Sequence, residues 1–269
     1  MALIRPGLLI ALVLCGCASL PPLDYRNTSH ALEAPADSTL RAALDPLAAA
    51  HAGLSGIYAL KDGPNAFAAR IELIDAAVSS IDVQYYIWHD DTTGRLMFDA
   101  LRRAADRGVR VRLLLDDLGA SGLDGILAAL SSHLNVEVRL FNPFKRRGSF
   151  RWLGFVTDFS RLNRRMHNKS LTVDGVATIL GGRNIADEYF PAGDSPGYAD
   201  LDVLAVGAVV TEVSRSFDAF WRSDSAYPVS LLIGPAKGAD LERLVALGES
   251  TRSDPRAAPY TAAIRDSHI

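Results

Sequence analysis

Hydrophobic residues between positions 65 and 221 follow two alternating spacings. In residues 65–80 they recur every three or four positions, which predicts a helix. Residues 81–88 are rich in β-branched and aromatic side chains, which predicts a strand. The same reasoning predicts helices at 94–107, 123–130 and 208–221, and strands at 109–115, 136–141, 166–173, 176–180 and 200–206. This order predicts an α/β domain with a mostly parallel mixed sheet and helices on both faces.

The segments on either side of this region lack a clear periodicity. Residues 17–56 are rich in Pro, Ala and Asp, and we interpret them as a tether with one short helix near residues 39–51. Residues 229–269 contain helical pieces without a strand, and we interpret them as a helical tail or a truncated linker. The folded domain is therefore assigned to residues 57–228.

The N-terminus is typical of a secretory signal. Arg5 precedes an apolar run at residues 7–14 that is far shorter than the ~20 residues needed to cross a bilayer. The sequence Leu14-Cys15-Gly16-Cys17 resembles a bacterial lipobox, which predicts a signal peptide over residues 1–16 and acyl chains on Cys17. Ala18 then favours the outer membrane, with the domain facing the periplasm. The alternative is an ordinary signal peptide that is cut near Ala18.

Composition and charge narrow the classes of function. Apolar residues make up 49% and charged residues 22% of the 269 residues, so the chain can bury a core. The net charge of −3 excludes a globally basic nucleic-acid coat, and any anion site must be local. Both cysteines lie at the extreme N-terminus. The rest of the chain therefore has no disulfide framework, no cysteine-ligated zinc and no cysteine nucleophile.

Candidate chemistry centres on His167 and Lys169. Two positions apart on a predicted strand, their side chains point to the same face. An imidazole beside a fixed ammonium suits a phosphate group, because the cation neutralises oxygens while the imidazole acts on phosphorus. Gly181 and Gly182 let the backbone approach an anion. Asn184 adds an amide and caps a short helix predicted at residues 184–189, whose N-terminus favours the same anion.

These residues carry a resemblance to a known family. The pattern H-x-K-x-x-x-x-D followed by G-[SG]-x-N is the signature of the phospholipase D superfamily, and it is matched by His167, Lys169, Asp174, Gly181, Gly182 and Asn184. Longer stretches, among them IDVQYYIWHDDTTGRL and TDFSRLNRRMHNKSLTVDG, resemble the first half of bacterial cardiolipin synthases, particularly the C-type subgroup. The resemblance covers residues 67–221 and implies a single phospholipase D-like domain.

The resemblance also implies roles for individual residues. His167 would be the nucleophile that forms a phosphohistidine, and Lys169 and Asn184 would bind the phosphoryl oxygens. Asp174 would be structural, which agrees with a hairpin position on the face opposite His167. Asp200 would orient the imidazole through its other nitrogen and fix its tautomer, with Asp202 as the same-face alternative. The reaction of this family needs no metal and no cofactor.

The loop after the motif departs from the family pattern in one place. Many members have Ser where Gly182 stands, so a backbone N–H must replace the lost hydroxyl. Arg183 contacts substrate phosphate in one interpretation and pairs with an acid such as Asp187 in the other.

A larger departure is that the motif occurs once. Among the six histidines, only His167 is followed by Lys two positions later. The family uses two motifs, and the second histidine protonates the leaving alcohol. Three explanations stay open. A homodimer completes the site, a second chain supplies the other motif, or the chain is a truncated and inactive fragment.

A basic and aromatic segment precedes the motif. Residues 142–165 contain one acid, Asp158, against Lys145, Arg146, Arg147, Arg151, Arg161, Arg164 and Arg165, and these alternate with Phe144, Phe150, Trp152, Phe155 and Phe159. This composition favours contact with an anionic membrane surface. Nucleic acid is the less favoured partner, and a solvated loop with a few core aromatics is the simplest alternative.

Two acidic clusters raise the question of metal binding. His89-Asp90-Asp91 follows a predicted strand, and the cap of the next helix explains it better than a metal does. Asp116-Asp117 is better explained by a turn that ends a strand. Tyr85 and Tyr86 face opposite sides of their strand, and neither is assigned to catalysis.

These observations favour a membrane-associated phosphodiesterase or phosphatidyltransferase of the phospholipase D type. Its substrate would be an anionic phospholipid such as phosphatidylglycerol. The second hypothesis is a homodimeric, metal-independent endonuclease. The third is an inactive half-enzyme that only binds lipid or a partner chain as a lipoprotein.

Overall fold

The computed structural model describes residues 19–267, except residues 25, 34, 37, 193–195 and 237 and the side chains of residues 149, 150, 153, 157 and 238. The predicted signal peptide and the predicted lipid attachment at Cys17 lie outside the described residues. Within the described part of the chain, no helix is both long and apolar enough to cross a membrane.

Helices and strands alternate through the domain. The strands are β1 (Ser55–Leu60), β2 (Ser80–Ile87), β3 (Arg110–Gly119), β4 (Val136–Phe141), β5 (Ser170–Val173), β6 (Ala177–Gly181), β7 (Asp202–Gly207) and β8 (Ala226–Pro228). The helices are α1 (Thr39–Ala50), α2 (Gly63–Ala76), α3 (Thr92–Asp106), α4 (Asp124–Ser131), α5 (Gly154–Thr157), α6 (Phe159–Leu162), α7 (Ala208–Arg222), α8 (Val229–Leu232), α9 (Gly238–Arg252) and α10 (Ala258–Asp266). Single 3₁₀ segments lie at Gly148–Leu153, Asp187–Tyr189 and Pro255–Ala257.

The described strands form one mixed sheet in the order β1-β7-β6-β5-β2-β3-β4-β8. This confirms an α/β domain with a mixed sheet. Among the strands, β2, β3 and β4 pair in parallel and the other pairs are antiparallel, and one isolated parallel bridge joins Trp88 to Ile185. The sheet is thus less parallel than predicted, because only its centre is joined by crossover helices. Asp174 and Gly175 turn the β5–β6 hairpin, both with positive φ (52° and 65°).

Helices cover both faces of the sheet, as predicted. On one face, α2, α3, α4, α9 and α10 pack over the larger core. On the other face, α7 closes a smaller core formed by Leu114, Met166, Phe217, Trp221 and Ala226. Met166 belongs to this second core, so the chain is held firmly just before His167.

The C-terminal segment is part of the domain, which corrects the interpretation as a tail or linker. Leu244 and Ala257 are buried in the larger core. The Tyr260 ring lies 5.2 Å from the Phe67 ring, and its hydroxyl donates to the carbonyl of Phe190 at 3.0 Å. Helices α9 and α10 therefore complete the covering of α2 and α3.

The N-terminal segment is also packed against the domain, and the described part is not a free tether. Residues 26–33, which we call the N-terminal strap, run along α7. Arg26 donates to the carbonyls of Arg222 and Ser223 at 2.6 and 2.5 Å. Ser29 accepts from the indole of Trp221 at 3.0 Å. The predicted helix near residues 39–51 is confirmed as α1, and β1 follows it as an edge strand.

The edge of the sheet at which β2, β3 and β4 end positions the site, and we call it the carboxyl edge. Strand β5 runs antiparallel to β2 and so begins at this edge. Ala226 of β8 pairs with Phe141, the last residue of β4. Helix α7, which leads into β8, therefore ends at the same edge.

Candidate functional site

An imidazole and an ammonium lie side by side at the carboxyl edge. His167 and Lys169 immediately precede β5, which begins at Ser170 rather than at the predicted residue 166. The Nζ of Lys169 lies 3.3 Å from Nδ1 of His167 and donates to the His167 carbonyl at 2.9 Å. His167 is exposed, whereas Lys169 is buried. The predicted pairing of the two side chains on one face is confirmed.

The ring of Tyr86 forms the floor under both groups. Its centroid lies 4.7 Å from that of His167 and 5.6 Å from Nζ of Lys169, a cation–π distance. Sequence reasoning left Tyr86 unassigned. The usable signal was a pair of aromatic residues at a strand end, one of which, Tyr85, is fully buried and bonded to Arg70.

A local irregularity of β2 sets the position of Tyr86. The register of β2 against β3 shifts between Tyr85 and Ile87, so Tyr86 lies at a bulge, which redirects a side chain. The neighbouring strand has Gly119 here. A Cβ at this position would lie 1.9 Å from the carbonyl oxygen of Tyr86, so only glycine allows the close approach.

The electrostatics of Lys169 depend on two nearby carboxylates. Burial lowers the pKa of Lys169, whereas the negative charges of Asp200 and Asp202 act in the opposite direction. A bound phosphate diester would add further negative charge and stabilise the ammonium form.

Asp202 belongs to a buried network beneath the site. Its carboxylate accepts from Arg70 at 2.8 Å and from the backbone N–H of Arg183 at 3.2 Å. Arg70 also donates to the Tyr85 hydroxyl at 3.0 Å. This network fixes the loop after β6 to the first residue of β7.

Arg183 is held by the protein itself, which favours the interpretation that it pairs with an acid over a contact with substrate. Its guanidinium donates to the carbonyls of Leu60, Lys61 and Tyr189 at 2.7–3.1 Å. It also pairs with Asp202 at 3.4 Å, and not with Asp187. The side chain is buried.

The Asp200 carboxylate fills the space beside Gly182. Asp200 accepts from the backbone N–H of Leu201 at 2.8 Å, and among the described residues no hydrogen bond joins it to His167. A Cβ at Gly182 would lie 1.8 Å from Oδ1 of Asp200, so this carboxylate occupies the space that a serine would need. The Gly182 N–H donates to the Leu201 carbonyl at 3.1 Å and is not free for a phosphate, contrary to our expectation.

Asn184 holds the end of β2. Its Oδ1 accepts from the backbone N–H of Ile87 at 3.0 Å, which places it at the carboxyl edge. Burial raises the pKa of the Tyr189 hydroxyl, and a hydrogen bond with Asn184 opposes this rise. The predicted helix at 184–189 is reduced to the 3₁₀ turn Asp187–Tyr189, so no helix N-terminus begins at Asn184.

Asp174 lies at the other end of β5 from His167. Its buried carboxylate accepts from the backbone N–H groups of Val78, Ser79 and Ser80 at 2.8–3.1 Å. These bonds fix the β5–β6 hairpin to the start of β2. The structural role implied for Asp174 fits this geometry.

Asp116 and Asp117 fasten the basic segment to the end of β3. Asp116 accepts from the Met166 N–H at 2.8 Å and from Arg165 at 2.9 Å, and burial raises its pKa to about 6. Asp117 accepts from the Phe144 N–H at 2.8 Å. The two buried carboxylates thus hold both ends of the segment that leads to His167. Sequence reasoning missed this role, although an acidic pair followed by a cationic segment was its signal.

Neither acidic cluster has the geometry of a metal site in the described residues. The predicted cap is confirmed, since Asp91 begins α3 by accepting from the backbone N–H of Gly94 at 3.0 Å.

The basic segment has an inner and an outer side. Arg147 pairs with Asp117 and Asp124, and Arg151 lies 4.3 Å above the Phe144 ring. Arg161 and Arg165 pair with Asp158 and Asp116 in the same way. The outer side carries Trp152, Val156 and Phe159, which are 55%, 83% and 59% exposed, together with Arg146 and Arg164.

Comparisons with known proteins place the chain in a family. It is 53% identical over 205 residues to cardiolipin synthase C of Escherichia coli K12, which covers 76% of this chain and 43% of that protein. It is 31% identical over 172 residues to a cardiolipin synthase of Oceanobacillus iheyensis, covering 64% of this chain and 34% of the relative. The chain therefore spans less than half the length of these relatives.

The fold matches solved structures as well. Phosphatidylserine synthase of Haemophilus influenzae superposes with a TM-score of 0.50 at 14% identity, over 74% of this chain and 44% of that one. A family model described as "Cardiolipin synthase, PLD-like domain" matches residues 70–221. The chain accordingly belongs to the phospholipase D-like domain family of the cardiolipin synthases.

Proposed function

We propose that this chain is one half of a membrane-associated phosphatidyltransferase or phosphodiesterase that acts on anionic phospholipids through a phosphohistidine at His167. The observation that carries the proposal is the 3.3 Å pairing of His167 with Lys169 on an exposed edge of the sheet. The cardiolipin synthase relatives support the same class of reaction.

The geometry suggests how the imidazole becomes a nucleophile. The Lys169 ammonium can only donate a hydrogen bond, so Nδ1 of a neutral His167 must accept it. The single hydrogen of the imidazole then lies on Nε2. The oxygens of a bound diester are better acceptors for an ammonium because they are charged. Once Lys169 turns to them, His167 exchanges its proton with water and takes the other neutral tautomer. In the proposed complex its Nδ1–H then donates a hydrogen bond to Asp200, and Nε2 is left with a free lone pair.

The reaction then proceeds in two displacements. Nε2 of His167 bonds to phosphorus while the bond to the leaving alcohol breaks, and an acid from the second motif protonates the alcohol oxygen. In the second step the same group deprotonates an acceptor hydroxyl, whose oxygen bonds to phosphorus as the P–N bond breaks. A lipid acceptor gives transfer and water gives hydrolysis.

Within these 269 residues only His167 has Lys two positions later, so the proposal requires a second motif from outside this sequence. Either a second copy of the chain or a separate chain would place its histidine opposite the exposed His167. The proposal includes anchoring of Cys17 in the bacterial envelope, in the outer membrane and facing the periplasm. A Cys17→Ser variant should then leave the membrane fraction.

The covalent intermediate provides the direct test. Wild-type protein is mixed with phosphatidylglycerol in detergent at a series of protein concentrations, and both turnover and a phosphatidyl adduct on the peptide that contains residue 167 are measured. His167→Ala should abolish both, whereas His51→Ala, at an exposed position, is the matched control.

Several outcomes would contradict the proposal. Equal adduct formation in His167→Ala would overturn the assignment of the nucleophile. Cleavage of plasmid DNA without phospholipid turnover would support the endonuclease hypothesis instead. Absence of turnover and adduct at every protein concentration would support the inactive half-enzyme. A rate per chain that rises with protein concentration would support completion of the site by a second copy.

A further inference from the structure

Trp152, Val156 and Phe159 form an exposed apolar stripe. They lie at positions i, i+4 and i+7 on consecutive short helical segments, and each is more than half exposed. Three large apolar side chains that are each more than half exposed within eight residues indicate a surface that contacts something else.

The stripe is held in place from within. The Trp152 ring stacks on Phe155, with centroids 5.8 Å apart and an interplanar angle of 14°. On the inner side, Arg151 donates to the carbonyl of Asp117 at 2.6 Å, and Arg147 pairs with Asp117 and Asp124. The inner arginines therefore hold the segment against the end of β3 and the start of α4.

The charge around the stripe is positive. Arg146 and Arg164 are exposed on the same segment, which has seven cations against one acid. The chain as a whole carries a net charge of −3, so this is a local feature. A surface with exposed aromatic rings and arginines is complementary to an anionic membrane, where rings lie among the headgroups and cations contact phosphates.

The N-terminal strap begins at the same edge of the sheet. Arg26 is bonded to the last residues of α7, and the Asn142 N–H donates to the carbonyl of Ser225 at 2.6 Å. The start of the strap and the start of the basic segment are thus neighbours. Cys17 precedes Arg26 by nine residues, which can span at most about 30 Å. An acylated Cys17 would therefore keep this edge close to a bilayer.

We propose that the apolar stripe and its flanking arginines dock on an anionic phospholipid bilayer, with the carboxyl edge facing the headgroups. His167 follows the segment directly, so its substrate would be drawn from the surface on which the domain sits. The identity of that substrate rests on the proposed function, but the docking itself does not.

Trp152 is a natural probe for this docking. The chain has three tryptophans, and the other two, Trp88 and Trp221, are fully buried. Full-length protein carrying Cys17→Ser and His167→Ala lacks both acylation and chemistry. Adding phosphatidylcholine vesicles that contain phosphatidylglycerol should shift its emission to the blue and protect it from acrylamide, whereas vesicles of phosphatidylcholine alone should not. Unchanged quenching would overturn the proposal.

Variants test which residues carry the binding. Phe159→Ala, and the pair Arg146→Glu with Arg164→Glu, should each weaken vesicle partition roughly tenfold or more. Leu134→Ala is the apolar control, because Leu134 is fully exposed just before β4 begins, at the opposite edge. Arg243→Glu on α9 is the charge control, at a side chain that is 78% exposed. Equal losses in controls and variants would contradict a specific surface.

Soluble substrate separates this inference from the proposed function. Stripe variants in an otherwise active protein should lose turnover on vesicles and keep it on monomeric short-chain phosphatidylglycerol. If His167→Ala abolishes turnover but the stripe variants bind vesicles normally, the docking inference fails and the function stands. Trp152 could also be shielded from acrylamide before lipid is added, in an oligomer that the stripe variants dissociate. In that case a second copy of the chain covers the stripe, and the docking inference is wrong.

Discussion

The residues at the two ends of β5 have different roles, although both belong to one short sequence motif. At the carboxyl edge, His167 is exposed and its contacts are with Lys169 and Tyr86. At the opposite edge, Asp174 is fully buried and accepts three backbone hydrogen bonds from the start of β2. The comparison teaches that residues close in a sequence signature need not share a role, because four residues of strand carry them to opposite edges.

The largest expected effect is a difference in stability between variants at the two ends of β5. Asp174→Ala leaves three backbone N–H groups without their acceptor, so the free energy of unfolding should fall by about 3 kcal/mol or more. His167→Ala removes an exposed side chain and should change it by no more than about 0.5 kcal/mol. Urea unfolding measures both. Similar losses in the two variants would break the division between a chemical and a structural end.

Asp116 should make stability depend on pH close to the chemical end. Burial raises the pKa of this carboxyl to about 6, so the folded state binds the proton more tightly than the unfolded state does. Its contribution to the free energy of unfolding is greatest below pH 4 and is lost as pH rises through 6, by about 3 kcal/mol in total. Asp116→Asn cannot titrate, so the wild type should lose stability relative to this variant over that range. Parallel pH profiles of the two proteins would contradict the assignment.

The inner and outer arginines of the basic segment should respond differently to charge reversal. Arg147→Glu places a third carboxylate beside Asp117 and Asp124 and should lower the free energy of unfolding by about 2 kcal/mol. Arg164→Glu changes an exposed side chain and should lower it by less than about 0.5 kcal/mol. Thermal unfolding of the two variants, side by side, checks this. A larger effect at Arg164 would reverse the inner and outer assignment.

Substitution of Tyr86 should have the smallest effect. It should change the rate of adduct formation rather than the free energy of unfolding. Tyr86→Leu removes the aromatic floor beneath His167 and Lys169, so adduct formation should slow about three- to fivefold. Tyr86→Phe retains the ring and should keep the wild-type rate. A loss in Tyr86→Phe equal to that in Tyr86→Leu would show that the hydroxyl, and not the ring face, is what matters.

Sequence reasoning succeeded where contacts are local. The pairing of His167 with Lys169 follows from two-residue spacing on an extended chain, and Asp91 lies directly before the helix that it caps. The central helices and strands were found because their hydrophobic spacing is regular. In the same way, the hairpin at Asp174 and Gly175 is encoded by adjacent turn residues.

It failed where the deciding partner is distant in sequence. The position of the Arg183 side chain depends on Asp202, and these two residues are neighbours only because β6 pairs with β7. The role of Asp116 depends on Met166, fifty residues later. Strand β1 was missed because it is exposed along most of its length and has no alternating pattern. The strap was interpreted as a tether because its partners on α7 cannot be read from Pro and Ala content.

The close approach of the Asp200 carboxylate to Gly182 limits which residue can replace this glycine. Because any side chain at position 182 would collide with this carboxylate, a serine there requires the acid to stand elsewhere. The atoms that would collide are the end of the Asp200 side chain, so this side chain and not the backbone would have to move. A Gly182→Ser substitution would therefore displace the Asp200 carboxylate and change the negative charge close to Lys169.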